Sequence, residues 1–471
     1  MSFNNVRISK YRAALFCQVL AVALVGVGCG GGSGSGGNPP PPPPPNASAT
    51  QVRMGDAPAD RVLTFEVTVG PISLTPSTGS AVTVLSTTRR LELTHTSGTN
   101  EPLALLNIPQ GSYTGGTLTV ANPEVVFINN LGQITKLQPA FSQAVTVSFS
   151  PSLAVGASAS VVNIDLNVAK SLTFDALGNV TGVNIGASSF TFASAAVAAG
   201  NQQEPDDGEL EDLTGTVSSV SGTSFTMTSG MKGTPLTFAT DASTQFNDGA
   251  SLATMTNTVV TVEGVTRSDG SLYAKEVEGV ETANGVEADG LIMQVAGNPA
   301  TQLVFVGDDG SGSGIDDTKI GTSLTADVSG AGYKVSTGNV DTSGIGGLPS
   351  PPLFPFDAST VHAGQRVEVE SASALTGTSL VAEKVKLLQQ AVSGTVSGLS
   401  GTAPTKFALT VASDSAFAIA SVSTTVTVYW QPGTDVHNLP HALTNGDAVR
   451  VRGLVFFSGS SFNMIARRIT P

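Results

Sequence analysis

Cysteine is almost absent: two residues in 471, Cys17 and Cys29, both near the start of the chain. The remainder can form no disulfide framework and offers no thiolate for a zinc site or nucleophilic attack. Histidine is scarce as well, with His95, His362, His437 and His441 the whole supply, and Trp430 is the single tryptophan. Charged residues make up 12%, against about 25% in an average soluble protein. Basic residues number 22 against 36 acidic ones, a net charge of −14. An acidic surface repels phosphate backbones and anionic lipid headgroups, which argues against nucleic acid as a partner and against electrostatic membrane docking. There is no Gly-x-Ser-x-Gly elbow, no phosphate-binding Gly-x-x-x-x-Gly-Lys, no His-Glu-x-x-His and no dinucleotide fingerprint after a strand. The reading is a non-enzyme with no catalytic residue, no cofactor and no assigned metal ligand.

What is abundant is Gly, Ser, Thr and Val. Thr and Val suit pleated, half-buried surfaces and Gly punctuates turns, so the expectation is an all-β protein. The length suits three to five domains at roughly 100–200 residues each.

The N-terminus carries Arg7, Lys10 and Arg12 ahead of an apolar run from Ala13 to Val27. That run is short for a membrane span of about 20 residues and has the layout of a secretory signal. It ends in Val25-Gly26-Val27-Gly28-Cys29-Gly30, which resembles a bacterial lipobox, with Gly26 departing from the aliphatic residue usual at that place. The resemblance implies a lipid on Cys29, an anchor in a membrane, and a place in the cell envelope, the outer membrane being favoured. Gly30 to Asn46 then runs through glycines and serines into Pro39–Pro45. Flexible Gly/Ser followed by stiff polyproline makes a tether.

From Ala49 to about residue 200, alternating strand-like runs such as Leu63–Val69, Ala81–Leu85, Gly116–Val120, Ala144–Phe149 and Ser160–Leu166 are bounded by Gly, Pro and Asn, the pattern of a β-sandwich. Met54-Gly55-Asp56-Ala57-Pro58, Ile108-Pro109-Gln110-Gly111-Ser112-Tyr113 and Asn163-Ile164-Asp165-Leu166 with Ala169-Lys170-Ser171 resemble, in that order, the bacterial lipoprotein domain-of-unknown-function family 4382. The Pro-x-Gly-x-Tyr turn is shared with prealbumin-like sandwiches. Glu204–Asp212 holds six acids in nine residues and reads as a solvated linker, a calcium loop being the sharper alternative.

A β-rich unit then occurs three times. Thr214-Gly215-Thr216-Val217 leads to Val260-Thr261-Val262-Glu263-Gly264 and Ala274-Lys275-Glu276-Val277. Asp289-Gly290-Leu291-Ile292 leads to Val367-Glu368-Val369-Glu370 and Ala382-Glu383-Lys384-Val385. Ser393-Gly394-Thr395-Val396 leads to Val449-Arg450-Val451-Arg452-Gly453 and Ala466-Arg467-Arg468-Ile469. With Asp241-Ala242-Ser243-Thr244 and the Asp269-Gly270-Ser271 hairpin turn, the first copy resembles domain-of-unknown-function family 5666, which implies a small barrel of the oligonucleotide/oligosaccharide-binding (OB) type. The expected organisation is therefore a signal peptide (1–28), a tether (29–48), a prealbumin-like β-sandwich (49–200), an acidic linker (201–212) and three OB-like β-barrel repeats. The repeats run over 213–280, 285–388 with a long exposed insertion around 329–355, and 392–471.

Candidate chemistry is thin. His437 and His441 have the i,i+4 spacing of a helical metal pair, but Pro440 breaks such a helix, leaving a surface loop as the reading. Asp308-Asp309 and Asp316-Asp317 flank a Gly/Ser run that reads as a solvated hairpin tip, with calcium as the alternative. Tyr429 and Trp430 are the candidate ligand-binding residues, because aromatic faces stack on sugars; the competing reading places Trp430 in the barrel core. The expected role is non-catalytic display, adhesion or ligand binding in the envelope. A carbohydrate-binding protein using the last barrel and an envelope scaffold that binds other proteins are the alternatives.

Overall fold

Apolar side chains at every second position become strands here, and the strands close into cores module by module. The computed structural model describes residues 46–57, 61–96, 100–198, 203, 207–229, 235–279, 285–316, 318–336, 340, 354–436 and 439–471. The signal segment, Cys29 and the polyproline run lie outside the described residues. No helix among the described residues is long and apolar enough to cross a membrane. Among the described residues the architecture is nearly all β, with one short helix, Ala416–Ser421, and two single-turn 3₁₀ segments.

The first module pairs two sheets over one core. One sheet has the order Phe190–Ala196, Ser160–Asn167, Ala47–Ala57, Glu101–Pro109. The other is built on the long strands Val62–Pro76 and Gly111–Ile128. Val52, Ile108 and Ile164 of the first sheet meet Phe65, Val67 and Leu118 of the second in a single apolar cluster. Along Val62–Pro76 the apolar side chains with no exposure are Phe65, Val67 and Val69, then Ile72 and Leu74. The parity changes where the register with Gly111–Ile128 shifts, between Val69 and Ile72. The Pro-x-Gly-x-Tyr turn joins Glu101–Pro109 to Gly111–Ile128. Gly111 takes a positive φ of 153°, and the buried Tyr113 donates its hydroxyl to the Pro109 carbonyl at 2.7 Å, tying the turn to the strand it opens.

The three repeats share one topology. In the third, Gln389–Ser397, Thr405–Val411, Thr425–Val436, Ser461–Thr470 and Ala448–Ser458 close a barrel in that spatial order. The third and fifth strands in sequence run parallel, and every other neighbouring pair is antiparallel. That is the five-stranded Greek-key arrangement of an OB barrel. The first repeat, Glu209–Ser221, Ser224–Ser229, Pro235–Ala239, Val259–Thr266 and Leu272–Gly279, closes in the same way through the parallel pairing of Phe238 with Leu272. In the second, the fifth strand comes in two pieces. Ser379–Val381 runs parallel to Ser323–Asp327, and Lys384–Leu387 runs antiparallel to Arg366–Ser371.

Two expectations change. The acidic stretch is not a solvated linker over its described end: Glu209 opens the strand Glu209–Ser221 and is buried, because basic groups of other modules surround it. Asp308 and Asp309 do not sit on a hairpin tip. They lie within the strand Ala300–Gly312, and Asp308 is buried against Arg366. Of the insertion, Gly332–Val335 forms a strand beside Lys384–Leu387, and 337–339 and 341–353 lie outside the described residues.

The modules also share apolar contacts. Leu454, Phe456 and Ile465 of the third barrel belong to the core of the second. Leu63, Val126 and Ile128 of the sandwich cluster with Val306 of the second barrel and Ala416 of the third. All described residues fall in one contact unit.

Candidate functional site

Alternation along Arg366–Ser371 sends Val367 and Val369 into the second barrel and leaves Arg366, Glu368 and Glu370 on its outer face. The neighbouring strand Lys384–Leu387 does the same with Val385 and Leu387 against Lys384 and Lys386. Register places Glu368 opposite Lys386 and Glu370 opposite Lys384, so that opposite charges face each other across the ladder. On an isolated barrel this face would be wet. Here Glu368 is 2% and Lys386 3% exposed, because the first barrel covers them.

The first barrel supplies matching groups. Lys386 pairs with Glu278, and Lys384 Nζ lies 2.7 Å from Asp248 and 2.8 Å from Glu370. Lys334 joins the same Asp248. Burial works against charge on both partners, yet the hydrogen bonds from Lys334 and Lys384 hold Asp248 well below the usual carboxylate range. Lys384 is likewise held above the usual lysine value by Asp248 and Glu370, in spite of its burial. The Thr214 hydroxyl donates to Glu287 Oε1 at 2.7 Å, and Thr261 adds a longer bond of 3.2 Å to the same oxygen.

Beside this seam Arg366 grips Asp308 with two bonds, Nε to Oδ2 at 3.1 Å and Nη2 to Oδ1 at 2.9 Å, and reaches Asp289 at 3.1 Å. Glu287, Asp289 and Glu368 stand close enough that one oxygen from each lies within 4.8 Å of the others. Burial, and then the neighbouring carboxylates, push Glu287 well above the usual range. Burial likewise raises Asp289, against the pull of Arg366.

The sandwich contributes His95. Its Nδ1 is 2.9 Å from Glu92, and its Nε2 faces Glu101 at 3.7 Å and Asp309 at 4.0 Å. Burial alone would lower its pKa. The carboxylates of Glu101 and Glu92, with the charge of Asp309, outweigh that and raise it well above 6.5. Burial raises Asp309 to about 6. The third barrel closes the junction: Arg467 reaches Glu209 at 3.1 Å, and Arg452 stands 3.6 Å from Glu211. Arg53 of the sandwich, fully buried, donates to the Glu209 carbonyl at 2.8 Å and to the Thr266 hydroxyl at 3.1 Å. A cavity of about 120 Å³ remains where the modules meet, lined in part by Leu63, His95, Asp308, Arg366 and Arg452.

The residues singled out from sequence lie elsewhere. The Tyr429 ring packs 5.3 Å from Phe354, and Trp430 is half-buried against the core of the third barrel. The His362 ring packs, tilted, with its centroid 4.0 Å from that of Phe457. His441 is exposed, 3.7 Å from Asp447, and His437, like Cys29, lies outside the described residues. The junction itself went unread because each of its members looks like the solvent side of an amphipathic strand. The signal was present in Val-Glu-Val-Glu facing Lys-Val-Lys-Leu, two strands of one repeat with complementary charges at the same parity.

No curated protein matches the chain. Among solved structures, the one named drosophila Unr CSD456 aligns at 12% identity over 55% of this chain and 96% of that chain, with a TM-score of 0.13. Residues 214–278, which fold as the first barrel, match the family model Domain of unknown function (DUF5666).

Proposed function

We propose that this chain is a non-catalytic cell-envelope protein, held to a membrane through a lipid on Cys29, that presents its sandwich and three barrels as one rigid body for display, adhesion or ligand binding. The observation that carries this reading is the buried charge seam. Arg53, His95, Lys384, Lys386 and Arg467 are spent on joining module to module. Charges so engaged hold geometry and are not free to act on a substrate. Tethered behind polyproline, such a body would stand off a surface as a unit.

Carbohydrate binding through Tyr429 and Trp430 is the second reading, favoured by the incomplete burial of both rings on one strand. A glycan array probed with the full-length chain and with Trp430→Ala separates the two. Retention lost in the variant assigns a glycan site, whereas no retention by either folded protein leaves display or protein binding. Incorporation of labelled fatty acid that Cys29→Ala abolishes is the matching test of the anchor.

A further inference from the structure

The seam between the first and second barrels holds more carboxylates than cations. Glu278 and Glu368 share Lys386, while Asp289 and Asp308 share Arg366. Glu287, with no exposure at all, accepts hydrogen bonds from the Thr214 and Thr261 hydroxyls at one of its oxygens, and the Lys386 charge that reaches it is already shared by Glu278 and Glu368. Its other oxygen, Oε2, and Oδ1 of Asp289 are buried and find no hydrogen-bond partner among the described residues. Buried carboxylate oxygens left in that state are costly unless something positive meets them.

We propose that Glu287, Asp289 and Glu368 form a binding site for a hard divalent cation, Ca²⁺ fitting best, on the face of the second barrel that meets the first. One oxygen from each of the three lies within 4.8 Å of the others. That is the widest spacing two ligands can have around one ion at about 2.4 Å from each, the range calcium takes with carboxylate oxygens. The donor set is all oxygen, with neither imidazole nor thiolate, which selects hard ions over zinc or copper. The three ligands come from two strands of the second barrel, Val286–Gly297 and Arg366–Ser371, whose register sets Asp289 directly opposite Glu368. A site on paired strands is fixed before the ion arrives. Thr214 and Thr261, which touch Glu287, belong to the first barrel, so occupancy would bear on the joint between the two.

The purified full-length chain, stripped with EDTA, is dialysed against Ca²⁺, Mg²⁺ or Mn²⁺. Bound metal is then counted by mass spectrometry and the thermal midpoint followed in parallel. The expected result is one Ca²⁺ per chain and a midpoint that rises with it. Glu287→Gln and Glu368→Gln should each weaken binding at least about tenfold, the lower end of what even indirect ligand changes cost. Mg²⁺ or Mn²⁺ bound in the same ratio, and lost in the same variants, would uphold the site with a different occupant. Absence of all three ions from the wild-type chain overturns the proposal, as does binding that both variants retain. The wild-type count needs no variant, so a variant that misfolds does not leave the question open.

Discussion

Gly270 of the first barrel lies so close to Ala49 of the sandwich that a Cβ built at 270 would stand 2.5 Å from the Ala49 Cβ. Its φ is +85°, a conformation that suits glycine. Gly270→Ala therefore meets both a backbone penalty and a collision. We expect a loss of about 2–4 kcal/mol, the sum of left-handed strain and overpacking. Urea unfolding measures it. A change under about 0.5 kcal/mol, the range of ordinary surface substitutions, would mean that the two modules do not meet at this turn.

Arg366 is shared between Asp289 and Asp308 in a buried setting. Arg366→Ala strands both carboxylates, and removal of one partner from such a pair costs about 3–5 kcal/mol. The double variant Arg366→Leu with Asp308→Leu should cost clearly less than the sum of its two single changes. Denaturant midpoints of the four proteins give the coupling, and strict additivity would refute the pairing.

The pH dependence should run opposite to that of an ordinary salt-bridged protein. Burial raises Glu66 to about 7, against the pull of Arg90, so the folded chain keeps a proton there that the unfolded chain sheds near 4.5. Its contribution is whole below about pH 4.5 and lost as pH rises through about 7. His95 has the same sign: its contribution is whole below about pH 6.5 and lost as pH rises through its higher folded value. Stability should therefore fall from pH 5 to pH 8. Glu66→Gln should flatten that slope and add on the order of 1–3 kcal/mol at pH 8. Thermal midpoints across this range decide it, and a wild-type maximum at pH 8 would contradict both assignments.

Val422 ends the helix Ala416–Ser421 with φ at +55°, and its side chain is 91% exposed. A β-branched residue is poorly suited to that conformation and gains nothing from burial there. Val422→Gly should stabilise the chain by about 1 kcal/mol, the cost of holding an L-residue left-handed. A midpoint that drops on this substitution would show that the side chain has a role beyond capping.

Much of the fold was legible because its cause is local. Period-two alternation marked Leu63–Val69 and Val260–Val262, and the recurrence of Val-x-Val-x strands counted the barrels. The Pro-x-Gly-x-Tyr turn was readable because its glycine conformation and its tyrosine hydrogen bond lie within a few residues. The charge seam was not, because whether Glu368 and Lys386 meet water or the first barrel depends on two modules folding against each other, Glu278 and Lys386 being 108 residues apart in sequence. His95 shows the same limit: Glu92 is three residues away, but Asp309 comes from another module.

The repeats share a topology but not an outer face. The second barrel turns acids and lysines toward the first, which answers with Thr214, Thr261, Asp248 and Glu278, while the third presents Arg452 and Arg467. Solenoid repeats accept further copies because each neighbour offers the same surface. These barrels do not. A duplicated second barrel would bring Glu287 and Glu368 against their own kind, and an exchange of the first and third would leave Glu209 without Arg467. The order of these copies is thus written in charge.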